Sequence, residues 1–69
     1  MIWEDNEGCQ YRVLETVNLH CSIYCKKLMG SWMPCDEHTG FQQRCWKVKE
    51  LAEKFLSEYA MIHAWKRVR

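Results

Sequence analysis

The stretch YRVLETVNLHCSIYCKKL, residues 11–28, decides the fold, because two periodicities compete within it. Tyr11, Val13, Val17 and Leu19 alternate onto one side, as in a half-buried strand. Leu14, Val17, Cys21, Tyr24 and Leu28 fit a helical stripe equally well. Lys26-Lys27 ahead of Gly30 make a good helix ending, which tips the reading toward a middle helix over residues 15–29. Upstream, Asp5-Asn6-Glu7-Gly8 has the composition of a turn. It would set Ile2-Trp3 against Tyr11-Val13 in a short N-terminal hairpin or strand. Downstream, residues 30–38 form a loop that carries the single proline, Pro34.

The C-terminal segment TGFQQRCWKVKELAEKFLSEYAMIHAWKRVR carries the clearest helical period. Phe41, Cys45, Val48, Ala52, Phe55, Tyr59 and Ile62 are spaced alternately by four and three, which puts them on one helical face. Lys49/Glu53, Glu50/Lys54 and Lys54/Glu58 place opposite charges one turn apart on the polar side. Thr39 with Gln42 resembles a capping box, and Lys66, Arg67 and Arg69 suit a helix C-terminus. The spacing predicts a long amphipathic helix over residues 40–66. Such a helix would run about 39 Å, beyond the roughly 28 Å diameter expected for a compact chain of this length. An apolar stripe that overshoots its own domain calls for a second copy or another protein. The expected fold class is therefore α+β but mostly helical. It has a short N-terminal hairpin or strand, a middle helix, a Cys/His loop and the long C-terminal amphipathic helix.

At 69 residues the chain holds a single small domain, 1–69, and its core alone gives thin stability. Domains of this size often recruit disulfides, a metal ion or a partner subunit. Almost half of the residues are apolar, with 4 tryptophans and 3 tyrosines, a composition that argues for a folded chain. A formal net charge of +1 argues against wholesale wrapping of nucleic acid. The opening MIWEDNEG lacks the basic and apolar regions of a secretory signal, and no apolar run approaches a membrane span. The odd cysteine count, 5, fits a reducing compartment better than a fully paired secreted framework, so a cytoplasmic location is expected.

Between His20 and His38 the chain gathers three cysteines and two histidines. Zinc favours thiolate and imidazole ligands delivered as two close pairs. Cys21 and Cys25 would share a helical face at i,i+4, and Cys35 and His38 would close the site from the turn after Pro34, with His20 in reserve. A structural zinc ion at Cys21, Cys25, Cys35 and His38 would add folding free energy that a small chain can use. Buried core thiols are the competing reading, since cysteine is among the most commonly buried residues. Cys45 falls on the apolar stripe and is assigned to the core, and Cys9 to a free or packed thiol.

Cys35 and Cys45 have nine residues between them and a helix after them, which resembles one half of the twin CX9C helical-hairpin family, oxidised in the mitochondrial intermembrane space. The second half departs from the pattern, because Cys9 and Cys21 have eleven residues between them and Cys25 is surplus. The resemblance implies an all-α helical hairpin as the alternative fold, with Cys9–Cys45 and Cys21–Cys35 as its bridges.

No HExxH, GxSxG, Walker-type or glycine-rich phosphate loop is present, and Glu15 and Glu37 are single carboxylates without an evident pair, so a non-enzymatic role is expected. Two binding classes remain. Trp32 and Met33, in the Cys/His loop, and Trp65 are residue types enriched at the centres of protein interfaces. The favoured expectation is a zinc-stapled interaction module that dimerises or docks on another protein, a regulator or inhibitor acting by occupying its partner's surface. The alternative is a nucleic-acid-binding regulator using Trp65, Lys66, Arg67 and Arg69 at the basic helix end, with Lys26-Lys27 as a second basic spot.

Overall fold

A computed structural model describes residues 1–16, 20–35 and 45–69 of the chain. Its architecture is an antiparallel sheet of six strands with one helix against one face. In chain order these are β1 (Trp3–Glu4), β2 (Gln10–Glu15), β3 (Cys21–Lys26), β4 (Met33–Pro34), β5 (Cys45–Trp46), α1 (Lys49–Ile62) and β6 (Lys66–Arg67). The order across the sheet is β4-β3-β2-β1-β6, and β5 also pairs with β3.

The sheet is built outward from β2 and β3. Their register runs without a slip from Gln10 opposite Lys26 to Glu15 opposite Cys21. Tyr11, Val13, Cys21 and Ile23 are buried, while Arg12, Leu14, Ser22 and Tyr24 between them are not, the period of a sheet with one covered face. Strand alternation therefore wins in residues 11–28, and the middle helix expected over 15–29 does not form. Its helical stripe borrowed Leu14 and Tyr24, which belong to the opposite face from Cys21, and Leu28, which is 79% exposed in the β3–β4 turn. Val17, in both stripes, lies outside the described residues. The N-terminal hairpin does form: Trp3 faces Tyr11 and Glu4 faces Gln10. One oxygen of Asp5 accepts the N–H groups of Glu7 (2.8 Å) and Cys9 (2.9 Å), and Gly8 supplies φ 89°.

On the far side, β3 needs partners along its whole length. β4 covers Tyr24 and Cys25, and β5 covers Cys21 and Ser22. Recruitment of Cys45–Trp46 to that ladder is what shortens the C-terminal helix. It spans 14 residues, about 21 Å long, rather than residues 40–66. The molecule extends 31 × 24 × 23 Å, so no helix overshoots it and that reason for a partner falls away. The capping pair Thr39 and Gln42 lies outside the described residues. The mostly helical expectation is thus corrected to a sheet-dominated one. The helical-hairpin alternative fails too, since Cys9, Cys21 and Cys45 are free thiols and neither implied bridge forms.

The helix presents Ala52, Leu56 and Ala60, all at 0% exposure, to β2 and β3. Alanines either side of Leu56 allow a close approach, and the core comprises Tyr11, Val13, Cys21, Ile23, Cys35, Ala52 and Leu56. The helix ends on Ala64 in the left-handed region (φ 57°). Ala64 N–H donates to the Met61 carbonyl (3.2 Å) and Trp65 N–H to the Ala60 carbonyl (2.8 Å), the two bonds of a Schellman motif. That reversal sends the chain back under the helix, so that β6 pairs antiparallel with β1 and Ile2 bonds Arg69 and Val68.

Two substitutions test these contacts by thermal or denaturant unfolding. Leu56→Ala should destabilise by about 2–5 kcal/mol, a large share of the stability of so small a core. Ala64→Gly should stabilise by about 1 kcal/mol, because glycine adopts the left-handed conformation without the Cβ clash.

Candidate functional site

Two surfaces of the described chain carry chemistry, one on each side of the sheet. On the helix side, an open groove of about 830 Å³ lies between the β1–β2 turn, the β3–β4 turn and the C-terminal end of α1. Tyr11, Tyr59, Trp65, Cys9, Cys25 and Met33 line it. Trp65 stacks on Tyr11 with ring centroids 4.3 Å apart and meets Tyr59 edge-on at 5.2 Å. His63 stacks on the other side of the cluster, 4.1 Å from Tyr59. Leu28, Met29 and Met33, at 79%, 95% and 63% exposure, project around the β3–β4 turn, and Met61 and Ile62 are exposed at the end of α1.

Two polar groups of the groove, Asp5 and Tyr11, are committed to one another. Tyr11 Oη donates to the second oxygen of Asp5 (2.9 Å), whose first oxygen serves the turn. Burial, with that bond and charge, pushes the Tyr11 hydroxyl well above the ordinary tyrosine range. Burial also pushes the Cys9 thiol up, and the Asp5 and Glu7 carboxylates add to it against the opposing pull of Lys27. Neither group is poised to ionise at neutral pH, as a nucleophile or base would be.

On the opposite face, which no described helix covers, the register places Arg12 opposite Tyr24 and Gln10 opposite Lys26. Trp32, just before β4, is half-buried there, with Arg12 Cζ 5.4 Å and Lys26 Nζ 5.2 Å from its ring centroid. At the other end Lys66 pairs with Glu4 (3.8 Å), and the Glu4 carboxylate also accepts from Gln10 Nε2 (3.3 Å).

The residues expected to bind zinc are not gathered as the helical reading required. Cys21 and Cys25 stand at different points of extended β3, about 13 Å apart along the strand. One zinc ion with bonds of about 2.3 Å to sulfur cannot reach both. Cys21 and Cys35 are buried in the core, Cys25 lines the groove, and His38 lies outside the described residues. His20 instead lends its carbonyl to Thr16 N–H (2.6 Å). Among the described residues no cluster of three histidine, cysteine or acidic side chains could hold a metal.

The expected partner-binding residues separate. Met33 lies on the groove rim and Trp32 on the open face. Trp65 is turned into the aromatic cluster, so it serves the core and not a basic helix tip. Lys66 and Arg67 are edge-strand residues, and Arg67 Nε donates to the Arg69 carbonyl (3.0 Å). Arg12 and Tyr24 escaped the sequence reading, because strand alternation across β2 and β3 together was the signal that pairs them. Comparison with protein-family models, with curated protein sequences and with solved structures finds no match to this chain.

Alkaline titration tests the Tyr11–Asp5 arrangement. The folded chain keeps the Tyr11 proton above pH 10, where an unfolded tyrosine loses it, so the unfolded state binds fewer protons there. Stability should therefore fall as pH rises beyond 10, and Tyr11→Phe should make that fall shallower. Unfolding followed with and without a strong zinc chelator should give the same midpoint. A chelator-sensitive midpoint would mean that the thiols gather differently.

Proposed function

We propose that the chain is a non-enzymatic protein-interaction module that receives a partner's apolar anchor side chain in the groove at the end of α1. The observation that carries this reading is the exposed Leu28, Met29 and Met33 beside a groove walled by Tyr11, Tyr59 and Trp65. Contiguous exposed apolar surface marks interaction sites, and methionine and aromatic side chains are the usual material of their centres. The groove's volume falls in the range of sites that hold a drug-sized ligand, enough for several side chains of a partner segment. Glu7 on one wall and Lys27 on another favour an anchor flanked by a cation on one side and an anion on the other.

A non-enzymatic role is supported by the raised Cys9 and Tyr11 and by the committed Asp5 carboxylate, none of which is set up as an activated nucleophile or base. No described helix is long and apolar enough to cross a membrane. Work in a reducing compartment such as the cytoplasm suits the free thiols of Cys9, Cys21, Cys25 and Cys45. As a regulator or inhibitor, the module would act by covering its partner's surface.

Selection of a displayed random 12-residue peptide library tests the groove. Enriched peptides should share a large apolar anchor and bind the wild type at least tenfold more tightly than a Met29→Asp/Met33→Asp variant. Absence of enrichment, or equal binding to a variant that melts like the wild type, would overturn the proposal.

A further inference from the structure

The formal net charge of +1 conceals an uneven distribution. Among the described residues, Asp5 and Glu7 lie in the β1–β2 turn, and Glu50, Glu53 and Glu58 lie on α1. Glu15 alternates with the helix-facing set, opposite Cys21. Glu4 alone of the described carboxylates shares the open face, and Lys66 and Gln10 already engage it. That face also carries Arg12 and Lys26, on the two central strands, with no carboxylate partner among the described residues.

Aromatic surface is interleaved with these cations. Tyr24 stands directly opposite Arg12, and the Trp32 ring lies within cation–π reach of both Arg12 and Lys26. The pleat sets this spacing: Arg12, Tyr24 and Lys26 project from the same side of two hydrogen-bonded strands about 4.8 Å apart. A flat face with cations at its centre is a poor core for a protein interface, where charge is depleted. It matches a ligand that alternates anionic groups with planar rings at short intervals, so that rings stack on the aromatics while anions meet the cations.

We infer that the open face of the sheet binds single-stranded nucleic acid, with Trp32 and Tyr24 as stacking surfaces and Arg12, Lys26 and Lys66 as phosphate contacts. This goes beyond the groove reading and uses the other side of the sheet, with Lys26, which also lines the groove, the one residue the two share. A duplex offers its phosphates but keeps its bases stacked internally, so it gains only the electrostatic part of the interaction. Contacts to base faces give little sequence preference. Three phosphate contacts on a single strand correspond to a slope of about −2 in log affinity against log salt.

The test uses the full chain and fluorescein-labelled 15-nucleotide oligothymidine and oligouridine, titrated by fluorescence anisotropy at several salt concentrations. One or both single strands should bind at low salt with that slope, and more tightly than a duplex of equal length. Arg12→Gln/Lys26→Gln should lower affinity at least tenfold and flatten the slope, and Trp32→Leu should lower affinity about fivefold or more with the slope unchanged. Lys54→Gln, on the helix, should change neither. Should a variant lose its fold, wild-type amide shifts on adding oligothymidine decide the matter. Shifts at Arg12, Tyr24, Lys26 and Trp32 support the inference, and shifts confined to Lys49–Ile62 oppose it. No binding at low salt, equal affinity for duplex or polyglutamate, or binding to anionic lipid vesicles in place of the oligonucleotides would overturn it.

Discussion

The ladder between β2 and β3 is the constraint on which the rest of the structure depends. Six residue pairs, from Gln10–Lys26 to Glu15–Cys21, hold one register. A slip of one residue in β2 against β3 would send Tyr11 and Val13 to solvent and Arg12 and Leu14 into the core. Everything else attaches to this pair. The helix packs on its apolar face with Ala52, Leu56 and Ala60, β4 and β5 share the outer edge of β3, and β1 lines the outer edge of β2. The apolar core is small, so much of the order rests on backbone hydrogen bonds that the ladder organises.

Closure at the two termini is the second organising event, and it depends on a single backbone reversal. Ala64 turns the chain through a left-handed conformation that alanine adopts at a cost, and Trp65 covers that cost by burying its ring against Tyr11 and Tyr59. The same reversal delivers Lys66 and Arg67 to β1, so the first and last strands of the chain become neighbours. Trp65 thus ties the helix end, the central strand and the C-terminal strand into one unit, and it also forms a wall of the groove.

Among the described residues the one helix packs on one face, so the sheet divides the chemistry in two. The helix side gathers thiols, thioethers and aromatic rings around the end of α1, with Asp5 and Tyr11 bonded to one another. The other side gathers cations and rings, and its one described carboxylate, Glu4, is already engaged. The near-neutral net charge is the sum of these unlike halves and describes neither.

Local chemistry carried by short range was legible in the sequence. The Asp5-Asn6-Glu7-Gly8 turn and the amphipathic period of the helix through Ala52, Phe55 and Tyr59 follow from residues within a few positions of one another. Trp32 was legible as a residue type enriched at interfaces, but the cations around it were not. Those come from the adjacent strands β2 and β3, whose side chains share a face only once the strands are paired. Residues 11–28 satisfied a helical and a strand period at once, and local propensity had no means to choose. The choice belonged to tertiary structure, because the strand reading buries Tyr11, Val13, Cys21 and Ile23 together against Leu56. The helical stripe would have buried Tyr24 and Leu28 with nothing to cover them. The same non-local pairing took Cys45–Trp46 from the helix, set Cys21 and Cys25 too far apart for one ion and turned Trp65 inward. The sequence by itself determined the turns, the helical period and the residue types available for binding. Tertiary structure alone decided which face each of them occupies, since a sheet face is defined only once its strands are paired.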